Sequence, residues 1–396
     1  MLLGLVLGPD VLGVLHIDIE SSTIRQLASL TLALVLFTDA STVDLDGLRR
    51  DAGLVGRLLG IGLLLTIAAG GFVAWLVFPE LPLATALLIG AILAPTDAAL
   101  GLPVVTNPAV PIRVRRILNV ESGLNDGIAT PFVVLFISLA TATIGAERIH
   151  LVDAVEEIVI AVVAGAVVGA VGGLLLVAAD RRKLTSELSR QIAVLALALG
   201  AYVISLTLGG NGFIAAFVAG LAFGAATRKG EEHAEEFTEV AGILLSIGVW
   251  LVFGGTLVGS LILDAQDLRP IVYAILSLTV IRMVPVAIAL VGSRLALPTV
   301  AFVGWFGPRG LASIVFGILA LDALTESGGA TDLLASTVGW TVLLSVVAHG
   351  LSAKPLAARY GRWIEMRQQT TAAQLPELEE RSELQPSART TWSRRR

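Results

Sequence analysis

Apolar residues run along this chain in blocks of about twenty, and polar residues gather in the short gaps between them. A helix needs about 20 apolar residues to cross the roughly 30 Å hydrocarbon core of a bilayer. On that measure spans are predicted at 1–10 (short), 24–44, 54–78, 84–105, 118–143, 153–179, 191–208, 212–227, 237–263, 270–293, 299–321 and 333–357. Residues 364–396 are polar and end in Arg394, Arg395 and Arg396, so they read as a soluble, disordered tail behind a transmembrane domain of residues 1–363. The expected class is an all-α polytopic membrane protein.

The gaps test this count. With the loop at Arg49 and Arg50 placed in the cytoplasm, alternation puts Arg49, Arg50, Arg57, Arg113, Arg115, Arg116, Arg181, Arg182, Lys183, Arg190, Arg228, Lys229, Arg294, Lys354, Arg359 and Arg362 on that side. The other side holds Arg25, Arg148 and Arg269. Sixteen against three is a strong positive-inside bias, which one wrong span would scramble, and it sets the C-terminus in the cytoplasm. Arg282 and Arg309 remain within spans. The first span falls short, because Met1 to Gly8 covers about 12 Å as a helix. It has no basic start and no small-residue cleavage site, so it does not read as a signal peptide. The chain reads as beginning partway through a helix.

Composition narrows the class. The chain is 55% hydrophobic and only 15% charged, against about 25% charged in soluble domains. Its 41 glycines suit close helix packing in lipid. There is no cysteine, hence no thiolate metal site or cysteine nucleophile. No basic stripe suggests a nucleic-acid partner, and no glycine-rich phosphate loop suggests a nucleotide, so no cofactor is expected.

Acids at membrane depth carry the chemistry. Ionised groups there are costly and mark ion or proton pathways. Asp97 lies in Pro95-Thr96-Asp97, where proline removes a backbone donor and opens the helix. Non-helical backbone at that depth is tolerated only facing protein or a water-filled cavity. Freed carbonyls, the Thr96 hydroxyl and the Asp97 carboxylate are hard oxygen donors suited to a small alkali cation. Gly307-Pro308-Arg309-Gly310 predicts a second broken helix, and transporters with inverted repeats set two such helices against each other at the substrate site. The alternative for a lone membrane proline is a packing kink.

Asp126 follows Asn125 in a third apolar block. One accessible carboxylate holds either a proton or a monovalent cation, and that competition suffices for exchange. Asp126 as a structural acid paired with an arginine is the alternative. Glu121 lies five residues earlier and about 140° around the helix, so it does not share that face. A lone buried charge is severely penalised, so Glu121 is expected in an ion pair, with Arg309 the first candidate partner and Arg282 the second. Asp39 sits late in its span, where an interfacial and a functional position are equally open. His349 reads as a hydrogen-bonded core histidine. Trp250, Trp305 and Trp340 read as packing or anchoring residues.

At these residues the chain resembles the monovalent cation:proton antiporters, specifically the NhaP-type sodium/proton exchangers related to animal sodium/hydrogen exchangers. The matching stretches are Gly4 to Pro9, Ala94 to Asp97, Glu121 to Asp126, Gly212 to Gly220 and Gly307 to Gly310. The resemblance implies an inverted-repeat fold of thirteen helices, two six-helix repeats around a linker helix, with two broken crossing helices. It implies a homodimer whose core domain moves by an elevator-like step. It also implies that Asp126 binds the ion and the proton, that Asn125, Thr96, Asp97 and Ser122 share the site, with Asp126 and Asp97 as the cation's carboxylate ligands, and that Glu121 and Arg309 form an ion pair. Asn125, where other branches carry a second acid, marks electroneutral exchange. Against that pattern the chain reads as starting after the first helix, with either a start further upstream or a truncated form as the expectation, and it carries Ala98 where many relatives have proline.

The leading expectation is a secondary antiporter exchanging Na⁺ for H⁺ across the cell membrane. A K⁺/H⁺ antiporter of the same architecture is the alternative within transport. A channel or non-transporting regulator on this scaffold is the alternative outside it. An enzyme is disfavoured, because the histidines are scattered at 16, 150, 233 and 349.

Overall fold

The computed structural model describes residues 1–9, 11–14, 21–43, 45–145, 151–227, 235–259, 261, 267–326, 331–370 and 375–381. Arg148, Arg228, Lys229, His16, His150, His233 and the tail from 382 onward lie outside the described residues.

All twelve predicted spans are helical. The first five are α1 (Leu2–Leu7), α2 (Ser22–Ser41), the pair α3 (Leu45–Arg57) and α4 (Leu63–Val77), the pair α5 (Leu83–Ile92) and α6 (Ala98–Val105), and α7 (Ile112–Gly145). A π-turn at Leu58–Gly62 joins α3 to α4 without ending the helix. Then come α8 (Leu151–Arg181), α9 (Glu187–Thr207), α10 (Gly212–Thr227) and α11 (Glu236–Phe253). The last three spans are the pair α12 (Arg269–Leu278) and α13 (Val280–Ala289), the pair α14 (Leu297–Trp305) and α15 (Leu311–Glu326), and α16 (Asp332–Thr370). Seven helices among the described residues are long and apolar enough to cross a membrane, and three shorter apolar ones join them.

Local sequence sets the ends. Ser21 caps α2 by accepting from Ile24 N–H, and Ser186 and Ser189 form a reciprocal capping box at the start of α9. Pro298 occupies the first turn of α14, where a missing N–H costs nothing. The two predicted breaks are real. Residues 93–97 separate α5 from α6, and residues 306–310 separate α14 from α15.

Between helices in lipid there is no hydrophobic driving force, so close packing must hold them. Gly169 of α8 meets α10 so tightly that a Cβ there would lie 2.2 Å from the Ala219 carbonyl oxygen. Helix α5 is enclosed between α4 and α7, and its Ala86, Leu88, Ile89, Ala91 and Ile92 have no exposed surface. The outward faces of α8 and α11 expose Val159, Leu175 and Leu244, as lipid-facing surfaces do.

The expected disordered tail from residue 364 is corrected in its first part. Helix α16 continues to Thr370, and residues 376–381 form a 3₁₀ turn with Leu375 and Glu377 buried. The reason is a missing cap. Ala296 precedes α14 and offers no side-chain acceptor, so Glu377 supplies one from far along the chain. Its Oε1 accepts from Ala296 N–H at 3.0 Å and from the Thr299 hydroxyl at 2.9 Å. With that proton committed, the Tyr360 hydroxyl donates to Thr299 Oγ1 across 2.9 Å. Arg113 at the start of α7 donates to the Pro376 carbonyl, and the same guanidinium is ion-paired with buried Asp51.

Glu377→Ala is expected to lower the melting temperature of the detergent-purified protein, since a buried hydrogen-bonded set losing its acceptor costs about 1–3 kcal/mol. Differential scanning fluorimetry checks it, and an unchanged melting temperature contradicts the remote cap.

Candidate functional site

The two breaks cross, and their backbones touch. Asp97 N–H donates to the Pro308 carbonyl at 2.8 Å. The Asp97 carboxylate then serves two helix starts. Oδ1 accepts from Ala99 and Leu100 N–H at 2.8 and 3.1 Å, capping α6, and Oδ2 accepts from Leu311 N–H at 2.9 Å, capping α15. Helix starts carry partial positive charge and unsatisfied N–H groups, so one anion answers both. Gly310 is required by this approach, because a Cβ there would fall 1.9 Å from Asp97 Oδ2.

Arg309 answers the opposite ends. It has no exposed surface. Its guanidinium donates to the carbonyls of Ala94 and Pro95, past the end of α5, at 2.9 and 3.2 Å, and reaches Gly307 O, past the end of α14, at 3.5 Å. The Ser313 hydroxyl donates to the Ile92 carbonyl at 2.8 Å. The freed backbone polarity of both breaks is thus largely met by side chains from the crossing itself.

Helix α7 runs unbroken past this crossing and lends it a polar face. Asn125 Nδ2 donates to Thr96 Oγ1 at 2.6 Å, and Thr96 Oγ1 lies 2.9 Å from Ser122 Oγ. Thr96, Ser122, Asn125 and Asp126 are all buried. Asn125 Oδ1 and Asp126 Oδ1 are buried with no hydrogen-bond partner among the described residues. Two oxygen acceptors therefore stay unused beside a hydroxyl pair, at a place where unsatisfied polar atoms cost about 1–3 kcal/mol each. Asp39 is half-buried on α2 with its Cβ against Gly123 of α7, 3.8 Å from where a Cβ would stand, so it faces the site-bearing helix.

The expected pairing of Glu121 with Arg309 is corrected. Arg282 of α13 holds Glu121, with Nη2 at 2.6 and 2.8 Å from the two carboxylate oxygens and both residues buried. Arg309 is occupied by the carbonyl ends, which a count of charges along the sequence does not register. Arg282 was the second candidate.

Residues 1–359 match the family model described as "Sodium/hydrogen exchanger, transmembrane". The chain belongs to this family. Among relatives, it is 27% identical to the Na(+)/H(+) antiporter NhaP of Pseudomonas aeruginosa over 82% of this chain and 78% of that one. It is 24% identical to the K(+)/H(+) antiporter NhaP of Alkalimonas amylolytica over 86% of this chain, and spans 57% of that protein's length. In fold it is similar to the sodium proton antiporter MjNhaP1 of Methanocaldococcus jannaschii, with TM-score 0.74, 23% identity and 91% of each chain covered.

The crossing gathers Thr96, Asp97, Ser122, Asn125, Asp126 and Arg309, all named from the sequence, and adds Ser313 and Ser345, which were not. Ser345 and His349 of α16 also reach the second break, Ser345 Oγ accepting Arg309 N–H at 2.6 Å. Their spacing of four in an apolar helix was the available signal.

Double-mutant cycles in purified protein are expected to show strong coupling between Glu121 and Arg282. Glu121→Gln or Arg282→Met alone should destabilise by about 3–5 kcal/mol, and the double variant by less than the sum. A larger coupling of Glu121 to Arg309 than to Arg282 contradicts the pairing.

Proposed function

We propose that this exchanger is a secondary antiporter that trades a cytoplasmic monovalent cation, Na⁺ first, for an external proton at Asp126. The observation that carries the reading is the pair of buried, unpartnered oxygens on Asn125 and Asp126 beside the Thr96–Ser122 hydroxyls. A carboxylate with a free lone pair in a dry site takes either H⁺ or a cation, not both. Thr96, Ser122 and Asn125 add neutral oxygens to whichever cation enters. Asp97 ties the two breaks together through its three amide contacts and lends residual negative charge to the site. Asp39 on α2 adds a further acid facing α7. Glu121 and Arg282 neutralise each other and take no part in the count.

A K⁺/H⁺ exchange is the second reading, favoured by the K(+)/H(+) antiporters among the relatives. Oxygen ligands of these types serve either ion, so cavity size decides. The positive-inside distribution supports a cell-membrane protein with a cytoplasmic C-terminus, and the family resemblance supports a homodimer.

Asp126→Asn is expected to abolish cation-driven dequenching of a pH-sensitive dye in everted vesicles, tested with Na⁺, Li⁺ and K⁺, while leaving the protein inserted. Wild-type exchange in this variant sinks the assignment. In wild type the rate at subsaturating cation should rise and then fall between pH 5 and 9, because protons exclude the cation at low pH and run short at high pH; a flat profile contradicts competition at one carboxylate.

Exchange is expected to be electroneutral, since Asn125 stands where a second acid would add a second proton. The membrane potential is worth about 2.3 kcal/mol per charge per 100 mV and should then neither drive nor oppose transport. Clamping proteoliposomes with K⁺ and valinomycin at fixed gradients checks it; a rate that tracks the imposed voltage contradicts a one-for-one count.

A further inference from the structure

The break in the second interrupted helix has weak local support. Phe306 lies at φ −81°, ψ 64°, an inverse γ-turn, closed by Gly307 N–H donating to the Trp305 carbonyl at 2.8 Å. A three-residue turn at the end of a nine-residue helix does not by itself fix where the next residues point. Yet Arg309, three residues on from Phe306, must hold its guanidinium on the Ala94 and Pro95 carbonyls of the other break.

Helix α16 supplies the missing support from one stripe. Ser345, His349 and Ser352 stand at i, i+4 and i+7, which places them on one helix face. All three touch the break. Trp305 Nε1 donates to Ser352 Oγ at 2.9 Å. His349 Nε2 lies 2.8 Å from the Trp305 carbonyl oxygen, and its ring lies 5.2 Å from the Trp305 ring. Ser345 Oγ accepts Arg309 N–H at 2.6 Å and lies 3.2 Å from His349 Nδ1.

His349 Nδ1 also lies 2.9 Å from the Ser345 carbonyl oxygen. Each ring nitrogen therefore faces a carbonyl, and a carbonyl only accepts, so a ring N–H on either side has an acceptor in front of it. The Ser345 hydroxyl accepts from Arg309 N–H and lies within reach of Nδ1 as well. A chain of polar groups thus runs from Arg309 N–H through Ser345 and His349 to Trp305 C=O. Buried polar chains of this kind rigidify when complete and cost stability when a member is lost.

We propose that His349 is a positioning residue for the ion site, which with Ser345 pins both sides of the second break to α16 and so keeps Arg309 aimed at the first. His349 touches no cation ligand. It acts on the site through the backbone of residues 305–309, and this rests on the antiporter reading above.

The test is cation-dependent exchange in proteoliposomes, fitted for half-saturating cation and maximal rate separately. His349→Leu removes both bonds and should raise the half-saturating concentration roughly five- to ten-fold, about the worth of one lost buried hydrogen bond, with a smaller change in maximal rate. His349→Gln, whose amide N–H reaches the Nε2 position, should restore it; His349→Asn, which stops short, should not. Ser345→Ala should shift in the same direction as His349→Leu. Half-saturation unchanged in both His349→Asn and Ser345→Ala overturns the proposal, and those two variants decide it even where His349→Leu does not fold. Wild type inactive for every cation would instead sink the antiporter reading, and an active wild type with an inactive Asp126→Asn keeps the two failures apart.

Discussion

Four helix ends meet inside the membrane, and two side chains neutralise them. Asp97 accepts from the amide starts of α6 and α15, and Arg309 donates to the carbonyl ends that follow α5 and α14. Broken helices at membrane depth are tolerable only when such freed groups find partners. The rest of the structure depends on this exchange of ends. It allows two interrupted backbones to approach within hydrogen-bonding distance, Asp97 N–H to Pro308 O, and it fixes where Thr96 stands. Thr96 in turn receives Asn125 and Ser122 from α7.

The consequence is electrostatic selection among the acids. Asp97 is committed to amides, and Glu121 is committed to Arg282. Asp126 keeps a buried oxygen with no hydrogen-bond partner among the described residues. Ion pairs at this depth are expensive to assemble and more expensive to break. An unanswered carboxylate is the cheapest place for an exchangeable cation or proton to sit. On the proposed function, the exchanging acid is the one the fold leaves over.

Much of this was legible in the sequence. The twelve apolar blocks are helices, because an apolar stretch of about twenty residues satisfies its own backbone in the bilayer by closing it into a helix. Both breaks were marked by proline beside a charge at Pro95-Thr96-Asp97 and Pro308-Arg309. The cluster of Thr96, Ser122, Asn125 and Asp126 was legible from the family's motifs. The partner of Glu121 was not. Arg282 and Arg309 lie at similar depth, and what separates them is that carbonyl ends claim Arg309, a three-dimensional fact with no residue of its own. The docking of Leu375 and Glu377 was equally hidden. A polar tail reads as disordered unless one notices that Ala296 leaves α14 without a cap, and the acid that supplies it is remote in sequence.

On the proposed function a cation and a proton compete for Asp126. Proton release on cation binding tests it without any transport. Purified protein in weakly buffered detergent near neutral pH is titrated with NaCl against choline chloride, and the pH change is recorded. Protons are expected to be released in step with Na⁺ binding by wild type, and none from folded Asp126→Asn. Release that persists in that variant, or Na⁺ binding with no release in wild type, would contradict it.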